Sequence, residues 1–192
     1  MSLRRGFKAE ANRISLCLRR SLGLTPEAPI NLEALARHLK VERGIVVIIV
    51  PLSRFRDEYP DAVRQLSVID SGAFSAATVP CGSKRYVIVH NDSHDEGRQN
   101  NNIAHEIAHL MLKHPFTLPI DTYGCRNIDR DIEDEANWLG PTILISDEAA
   151  LYIVKSGMTS DVARRKYGVS EPVLRMRINA SGARIRAARA YH

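Results

Sequence analysis

The sequence predicts an α+β fold in which a small, mostly antiparallel sheet packs on helices. Short runs rich in β-branched residues, separated by turn residues, indicate the strands. Segments with apolar residues at helical spacing flank these runs and indicate helices that bury one face. One of them, residues 103–112, is apolar on most sides, as expected of a helix buried in a core. The length of 192 residues, with 44% hydrophobic and 26% charged, suits one domain or one domain with an appendage.

Two amphipathic helices are predicted before the first strand. Apolar residues recur at helical spacing over residues 7–22, and Gly23 is a candidate C-cap. Asn31 is placed to cap a second helix, which Gly44 ends. The β-branched run 45–50 then predicts a strand that is buried on both faces.

A small sheet is predicted to follow this strand. Runs 66–70, 74–79 and 86–89 are rich in strand-forming residues and are separated by turn signals. The polar stretch 91–102 then leads into the apolar helix. We expect Asn102, or the asparagine before it, to cap that helix.

The composition indicates a soluble cytoplasmic protein. The three cysteines are widely spaced and form no C-x-x-C pair, which argues against a disulfide framework and for a reducing compartment. The charged start of the chain lacks the apolar core of a signal peptide, and no apolar run is long enough to span a membrane. The net charge of +5 permits an acidic or nucleic-acid partner without requiring one.

The apolar helix carries the pattern H-E-x-x-H. His105 and His109 lie one helical turn apart, so both rings can present a nitrogen to one metal ion. Glu106 lies beside them, where a carboxylate can act as a general base on a water molecule. The alternative is a chance match on a helix whose histidines are only hydrogen-bonded. The spacing of His114 turns it off the ligand face, and we expect it to be exposed.

The acidic helix predicted at residues 128–139 offers a third ligand. Glu133 lies one turn before Asn137, so Glu133 could reach the ion while Asn137 braces a ligand histidine. Glu135 is the alternative ligand, and the acids could instead form a solvated helix start. Two histidines with a carboxylate are what a gluzincin-like protease requires. Pro141 predicts that this helix kinks or ends early.

A basic helix-turn-helix pattern follows, with its turn at Gly168. Ser170 is the expected cap of the second helix. The chain after Glu171 carries no acids, and its arginines are Arg175, Arg177, Arg184, Arg186 and Arg189. The pair could read DNA, although a basic segment alone supports only nonspecific phosphate contacts. Arg164 stands where a small residue is usual and would crowd a tight helix pair, so we favour packing on the rest of the chain.

These segments together resemble the ImmA/IrrE family of zinc metallopeptidases. The resemblance rests on a strand that ends in Asn91, the H-E-x-x-H helix, and the E-x-E-A-N sequence that starts at Glu133. It runs over most of residues 7–180. It implies a zincin-like fold, with a metallopeptidase domain at 1–150 and a helical segment at 151–192 packed on it. It also implies zinc bound by the ligands named above, with Glu133 as the third, and the motif glutamate as general base.

The resemblance further implies a narrow proteolytic function. Known family members cut a helix-turn-helix transcriptional repressor, and we expect such a partner here. The substrate would lie extended along an edge strand, 74–79 or 86–89. Candidate oxyanion donors are Arg175 and Tyr123, the latter in a predicted loop at 116–127. Two alternatives remain: a DNA-binding transcriptional regulator with a structural or silent metal site, and an inactive peptidase-like binding module.

Overall fold

A computed structural model describes residues 3–115 and 129–189 of the chain. Within these ranges the strands are β1 (Val46–Pro51), β2 (Ala76–Pro80) and β3 (Arg85–His90). The α-helices of the described residues are α1 (Phe7–Ser21), α2 (Leu32–Arg43), α3 (Pro60–Arg64), α4 (Glu96–Leu112), α5 (Arg130–Leu144), α6 (Asp147–Lys155), α7 (Ser160–Tyr167), α8 (Glu171–Ala180) and α9 (Ala183–Arg189). The predicted α+β class is confirmed. Among these helices, none combines the length and the apolar character that crossing a membrane requires.

The helices at the start of the chain form where the sequence predicts them. The side chain of Asn31 accepts a hydrogen bond from the backbone N–H of Ala34 at 2.8 Å and so caps α2. Gly44 ends α2 with a φ of 65°, a left-handed conformation that suits glycine. Because α1 packs on α5 and α2 packs on β1 and α4, both helices bury their apolar faces in the core. Phe7 and Leu35 are fully buried there.

Within the described residues, the sheet has three strands in the order β1–β3–β2. β1 pairs with β3 in parallel, and β2 pairs with β3 antiparallel. The sheet is therefore mixed, which corrects the expectation of a mostly antiparallel one. Among the described strands β1 lies at an edge, and its Ile48 is 46% exposed, so the prediction of burial on both faces is wrong. A β-branched run reflects strand conformation and is not by itself a measure of depth.

The segment predicted as a strand at 66–70 is helical instead. α3 runs directly into one turn of π-helix, Gln65–Ile69. Asn91, which follows β3, is fully buried. Its side-chain amide donates hydrogen bonds to the carbonyl oxygens of Leu66 at 2.8 Å and of Phe74 at 3.1 Å. Periodicity cannot distinguish a short apolar run in a strand from one in a helix, and here the long-range hydrogen bond from Asn91 to Leu66 supports the helical turn.

The central helix begins earlier than the sequence suggested. The carboxylate of Asp95 accepts a hydrogen bond from the backbone N–H of Arg98 at 3.1 Å and caps α4. Asn101 and Asn102 therefore lie inside the helix and do not cap it. The apolar second half of α4 is buried, and α4 packs on both β2 and β3. This packing brings the H-E-x-x-H segment beneath the sheet.

The helix that carries the acidic cluster continues past its proline. The sequence predicted that this helix kinks or ends early at Pro141. α5 extends through Pro141 to Leu144, so an end at the proline is wrong, and the kink stays a prediction. In the same turn, the hydroxyl of Thr142 donates to the carbonyl oxygen of Trp138 at 2.8 Å. The helix end is bound by a buried arginine from α1, because Arg19 donates to the carbonyl oxygen of Leu144 at 3.1 Å. Tertiary contacts thus support a helix that propensity alone would end.

The helices after α6 pack against the earlier part of the chain. Arg177 is 1% exposed, and it donates to the carbonyl oxygen of Ile145 at 2.9 Å and to the carboxylate of Asp147 at 2.6 Å. The turn between α7 and α8 contacts α4, where the amide of Asn100 donates to the carbonyl oxygen of Gly168 at 2.9 Å. Arg177 is therefore a buried structural residue and not part of a basic surface.

Candidate metal centre

The three residues expected to bind metal meet where α4 and α5 cross. His105 and His109 come from α4, and Glu133 comes from the first turn of α5. Each offers one ligand atom, and these atoms all lie within 4.8 Å of one another. Nε2 of His105 is 3.4 Å from one carboxylate oxygen of Glu133, and Nε2 of His109 is 3.5 Å from the other. Two imidazole nitrogens and a carboxylate oxygen thus form a group that could hold a metal ion.

Small residues bring the two ligand-bearing helices close together. Ala104 and Ala108 of α4 and Ala136 of α5 are fully buried. At Gly140 of α5, an added Cβ atom would lie only 2.9 Å from the backbone nitrogen of His105. The helices can approach this closely because no side chain stands between their backbones. The distance from Glu133 to the histidines therefore depends on a tight helix crossing.

The charges within this group suit metal binding. Burial, with a contribution from the neighbouring His105, lowers the pKa of His109 to about 4. A hydrogen bond with His105 is the main cause that lowers the pKa of Glu133. A neutral imidazole and an ionised carboxylate are the forms that coordinate metal ions. Near neutral pH, His109 and Glu133 are thus already in the required protonation states.

Glu106 is held by the sheet. The hydroxyl of Thr78, on β2, donates to a carboxylate oxygen of Glu106 at 2.6 Å. Burial raises the pKa of Glu106, and the Thr78 bond partly opposes that shift. A carboxylate with a raised pKa is suited to taking up and releasing a proton. The sequence identified Glu106 but gave no sign of Thr78, because their contact depends on how the sheet sits on α4.

His114 lies against the metal centre, which corrects the expectation that it is exposed. Only 9% of its side chain is exposed, and its Nδ1 is 3.0 Å from Nδ1 of His109. The cause is Lys113, whose left-handed φ of 57° ends α4 and turns the chain back over the helix. Helical spacing did not apply to His114, since the helix had already ended.

The remaining predicted residues take different positions. The carboxylate of Glu135 contacts Arg4 at 2.7 Å and His114 at 3.4 Å, and Glu135 does not belong to the converging group of His105, His109 and Glu133. Asn137 is exposed on α5, and among the described residues no hydrogen bond joins its side chain to a ligand histidine. Its bracing role stays a prediction.

The candidate oxyanion donors are not joined to the site by any described contact. Arg175 is exposed on α8, and no hydrogen bond or ion pair within the described ranges connects it to the ligand group. Tyr123 and the predicted loop at 116–127 lie outside the described residues. Neither donor is therefore tested by the geometry.

Comparison with known proteins is consistent with this arrangement. The family model Peptidase_M78, described as an IrrE N-terminal-like domain, matches residues 41–179. The match includes the whole sheet, both ligand-bearing helices and most of α8. A search of the curated proteins finds no match to the chain.

Proposed function

The chain belongs to the Peptidase_M78 family, and from that membership we propose that it is a zinc-dependent endopeptidase. The observation that carries the proposal is the converging set of His105, His109 and Glu133, with ligand atoms within 4.8 Å of one another. Two histidines and a glutamate are a ligand set of catalytic zinc sites, in which one coordination position is left for water or substrate. A ligand set with two imidazole nitrogens suits zinc better than magnesium or calcium, because those two ions prefer sites made of oxygen ligands.

In the proposed hydrolysis, the metal ion and the residues around it have separate roles. When bound, zinc would supply Lewis acidity that polarises the scissile carbonyl and lowers the pKa of water. Glu106 takes a proton from the attacking water and delivers it to the leaving amine. The Thr78 hydroxyl, 2.6 Å from the Glu106 carboxylate, holds that group in a fixed orientation. The buried surroundings of Glu106 raise its pKa, which makes its carboxylate a stronger base for the proton of the attacking water.

The sheet offers one edge next to this site for an extended substrate. β3 is the central strand, so its hydrogen-bonding edges are occupied by β1 and β2. β2 is an edge strand within the described residues, it packs on α4, and it carries Thr78. Of the two strands considered from the sequence, β2 is therefore the better template for strand addition. We propose that the substrate backbone pairs with β2.

We further propose that the natural substrate is a helix-turn-helix transcriptional repressor. The support is the resemblance of the H-E-x-x-H and E-x-E-A-N segments to peptidases that cut such repressors. A site that binds a peptide along one short strand recognises an extended segment. The cut would therefore fall in a part of the repressor that is extended or can become so.

Two measurements test the proposed activity. Metal analysis should give one zinc ion per chain, and incubation with a proteome-derived peptide library should give new termini by mass spectrometry. Glu106→Gln should retain zinc and lose roughly 10²- to 10⁴-fold in cleavage rate, since it removes a general base. Glu96→Gln, an exposed substitution at the start of the same helix, should change neither. Absence of bound zinc in the wild type, or unchanged cleavage by Glu106→Gln, would refute the proposal.

The substrate is tested separately by co-expression with the helix-turn-helix repressor encoded nearest to this chain. We expect wild-type protein to cut the repressor at one position and Glu106→Gln to leave it intact. If library peptides are cut but the repressor is not, the peptidase proposal stands and the repressor proposal is wrong.

A further inference from the structure

His114 is held beside the metal centre by contacts that the proposed chemistry does not use. Its backbone N–H donates to the carbonyl oxygen of His109 at 3.0 Å, and its Nδ1 lies 3.0 Å from Nδ1 of the same histidine. This placement requires Lys113 to adopt a left-handed φ of 57°, a conformation that is unfavourable for a residue other than glycine. His114 therefore lies against Nδ1 of the candidate ligand His109, the ring nitrogen that does not face the other ligands.

The contact between the two rings has only one arrangement that leaves His109 free to bind metal. Nε2 of His109 faces His105 and Glu133, so this nitrogen must be unprotonated to act as a ligand. The ring proton of a neutral His109 then lies on Nδ1, which becomes a hydrogen-bond donor. Nδ1 of His114 must be the acceptor, which places the proton of a neutral His114 on its own Nε2.

The proton on Nε2 of His114 also has a hydrogen-bond acceptor. Nε2 of His114 lies 3.4 Å from a carboxylate oxygen of Glu135, and only 16% of the Glu135 side chain is exposed. The other oxygen of Glu135 accepts a hydrogen bond from Nε of Arg4 at 2.7 Å. Arg4 is also paired with Glu10 of α1 at 2.7 Å. The contacts from Nδ1 of His109 through His114 and Glu135 to Nε of Arg4 therefore pair a donor with an acceptor at each step.

We propose that His114, Glu135 and Arg4 form a hydrogen-bonded relay that holds the His109 ring with Nε2 directed at the metal. The relay rests on the proposed zinc site, and its members are positioning residues that touch neither metal nor substrate. Partners of this kind fix the tautomer and orientation of a ligand histidine. Arg4 lies outside the region matched by the family model, which begins at residue 41. The relay thus connects the start of the chain to the metal centre through hydrogen bonds.

Zinc affinity of the full chain provides the first test. His114→Phe keeps a ring in place but removes both nitrogens, and we expect its zinc dissociation constant to rise roughly 10- to 100-fold. His114→Asn restores an acceptor near the position of Nδ1, and we expect it to recover part of that loss. A change of less than about twofold in His114→Phe would overturn the relay. A loss beyond about 1000-fold that His114→Asn does not reduce would also overturn it, because His114 would then be a ligand.

The tautomer of His109 in the metal-free protein provides a test that is independent of zinc binding. Two-dimensional ¹⁵N NMR of the histidine rings should show the proton of His109 on Nδ1 in the wild type. In His114→Phe the signal should shift towards a mixture of tautomers. A wild-type proton on Nε2 would overturn the relay. If the wild type shows the Nδ1 tautomer but binds no zinc, the relay stands and the proposed function fails.

The outer members of the relay allow a matched comparison of adjacent arginines. Arg4→Gln should weaken zinc binding by a smaller factor than His114→Phe, because the perturbation starts farther from the metal. Arg5→Gln removes an exposed neighbouring charge and should leave zinc affinity unchanged. Equal effects of the two arginine variants would exclude Arg4 from the relay and show only a general charge effect. Should His114→Phe fail to fold, Glu135→Gln with the same zinc and NMR readouts decides the proposal.

Discussion

Replacing Gly140 by alanine tests whether the helix crossing sets the geometry of the metal centre. The added Cβ would lie 2.9 Å from the backbone nitrogen and 3.0 Å from the Cα of His105. Both atoms belong to the backbone, so neither can rotate away as a flexible side chain would. Restoring an ordinary contact of 3.4 Å requires α5 to move away from α4 by about 0.5 Å. Glu133 is carried on α5 and would move with it.

The expected change in unfolding free energy combines a cost of overpacking with a gain in helix propensity. Overpacking a close contact costs about 1–3 kcal/mol, whereas alanine is favoured over glycine in a helix by up to about 1 kcal/mol. We therefore expect Gly140→Ala to lose about 0–2 kcal/mol of unfolding free energy. Because functional sites tolerate displacements of only about 0.5 Å, we also expect zinc affinity to fall roughly tenfold.

Urea unfolding of the metal-free protein and zinc titration against a chromophoric chelator measure these two effects. Gly72→Ala is the matched control, since its added Cβ would meet only the Asp70 carboxylate at an ordinary 3.6 Å. We expect the control to keep both stability and zinc affinity close to those of the wild type. A Gly140→Ala protein as stable as the wild type, with the same zinc affinity, would show that the crossing does not position Glu133.

Further predictions concern the general base, a buried arginine and the metal-free site. Thr78→Val removes the hydroxyl bonded to Glu106, and peptide-library cleavage should slow roughly tenfold, the equivalent of about 1.5 kcal/mol, with bound zinc retained. Arg177→Met leaves a buried carbonyl and a carboxylate without their partner, and urea unfolding should show a loss of about 3–5 kcal/mol. The exposed control Arg175→Met should stay within about 0.5 kcal/mol of wild type. In the folded protein the pKa of His109 is lowered to about 4, whereas in the unfolded chain it stays near the usual value of about 6.5. Between these two pH values His109 is protonated in the unfolded chain and neutral in the folded protein. The unfolding free energy of the metal-free protein should therefore decrease as pH falls from about 6.5 to 4, and a flat profile over this interval, measured by urea unfolding, would contradict the lowered pKa.

Elements specified by local signals were predictable from the sequence. The cap at Asn31 and the helix end at Gly44 formed as expected because each depends on one residue and its immediate neighbours. The H-E-x-x-H pair was likewise local, since one helical turn brings both histidines to one face. Glu133 required a second helix, and the sequence offered Glu135 as an alternative that periodicity could not exclude.

Features that depend on tertiary contacts were not predictable. The run at 66–70 has strand composition but is held as a helical turn by the amide of Asn91. α5 continues past Pro141 because its end is bound by residues from distant helices. His114 was expected to be exposed because helical spacing was assumed beyond the left-handed Lys113. In each case a long-range contact or a chain reversal overrides a local rule.

The candidate ligand Glu133 belongs to a helix whose start, middle and end are each held by contacts with other parts of the chain. Near its start, Glu135 is bound by Arg4. In the middle, Gly140 allows the backbone of α5 to lie against α4. At its end, buried arginines from α1 and α8 bind the last carbonyl oxygens, at Leu144 and Ile145.

These contacts predict that helices which do not line the site nevertheless influence it. α1 and the residues before it supply Arg4 and Arg19, and α8 supplies Arg177. A metal ligand on a separate helix has no local restraint on its distance from the histidines, so the packing of that helix must provide it. Loss of the contacts at either end of α5 should therefore weaken zinc binding even where every ligand and the general base are intact.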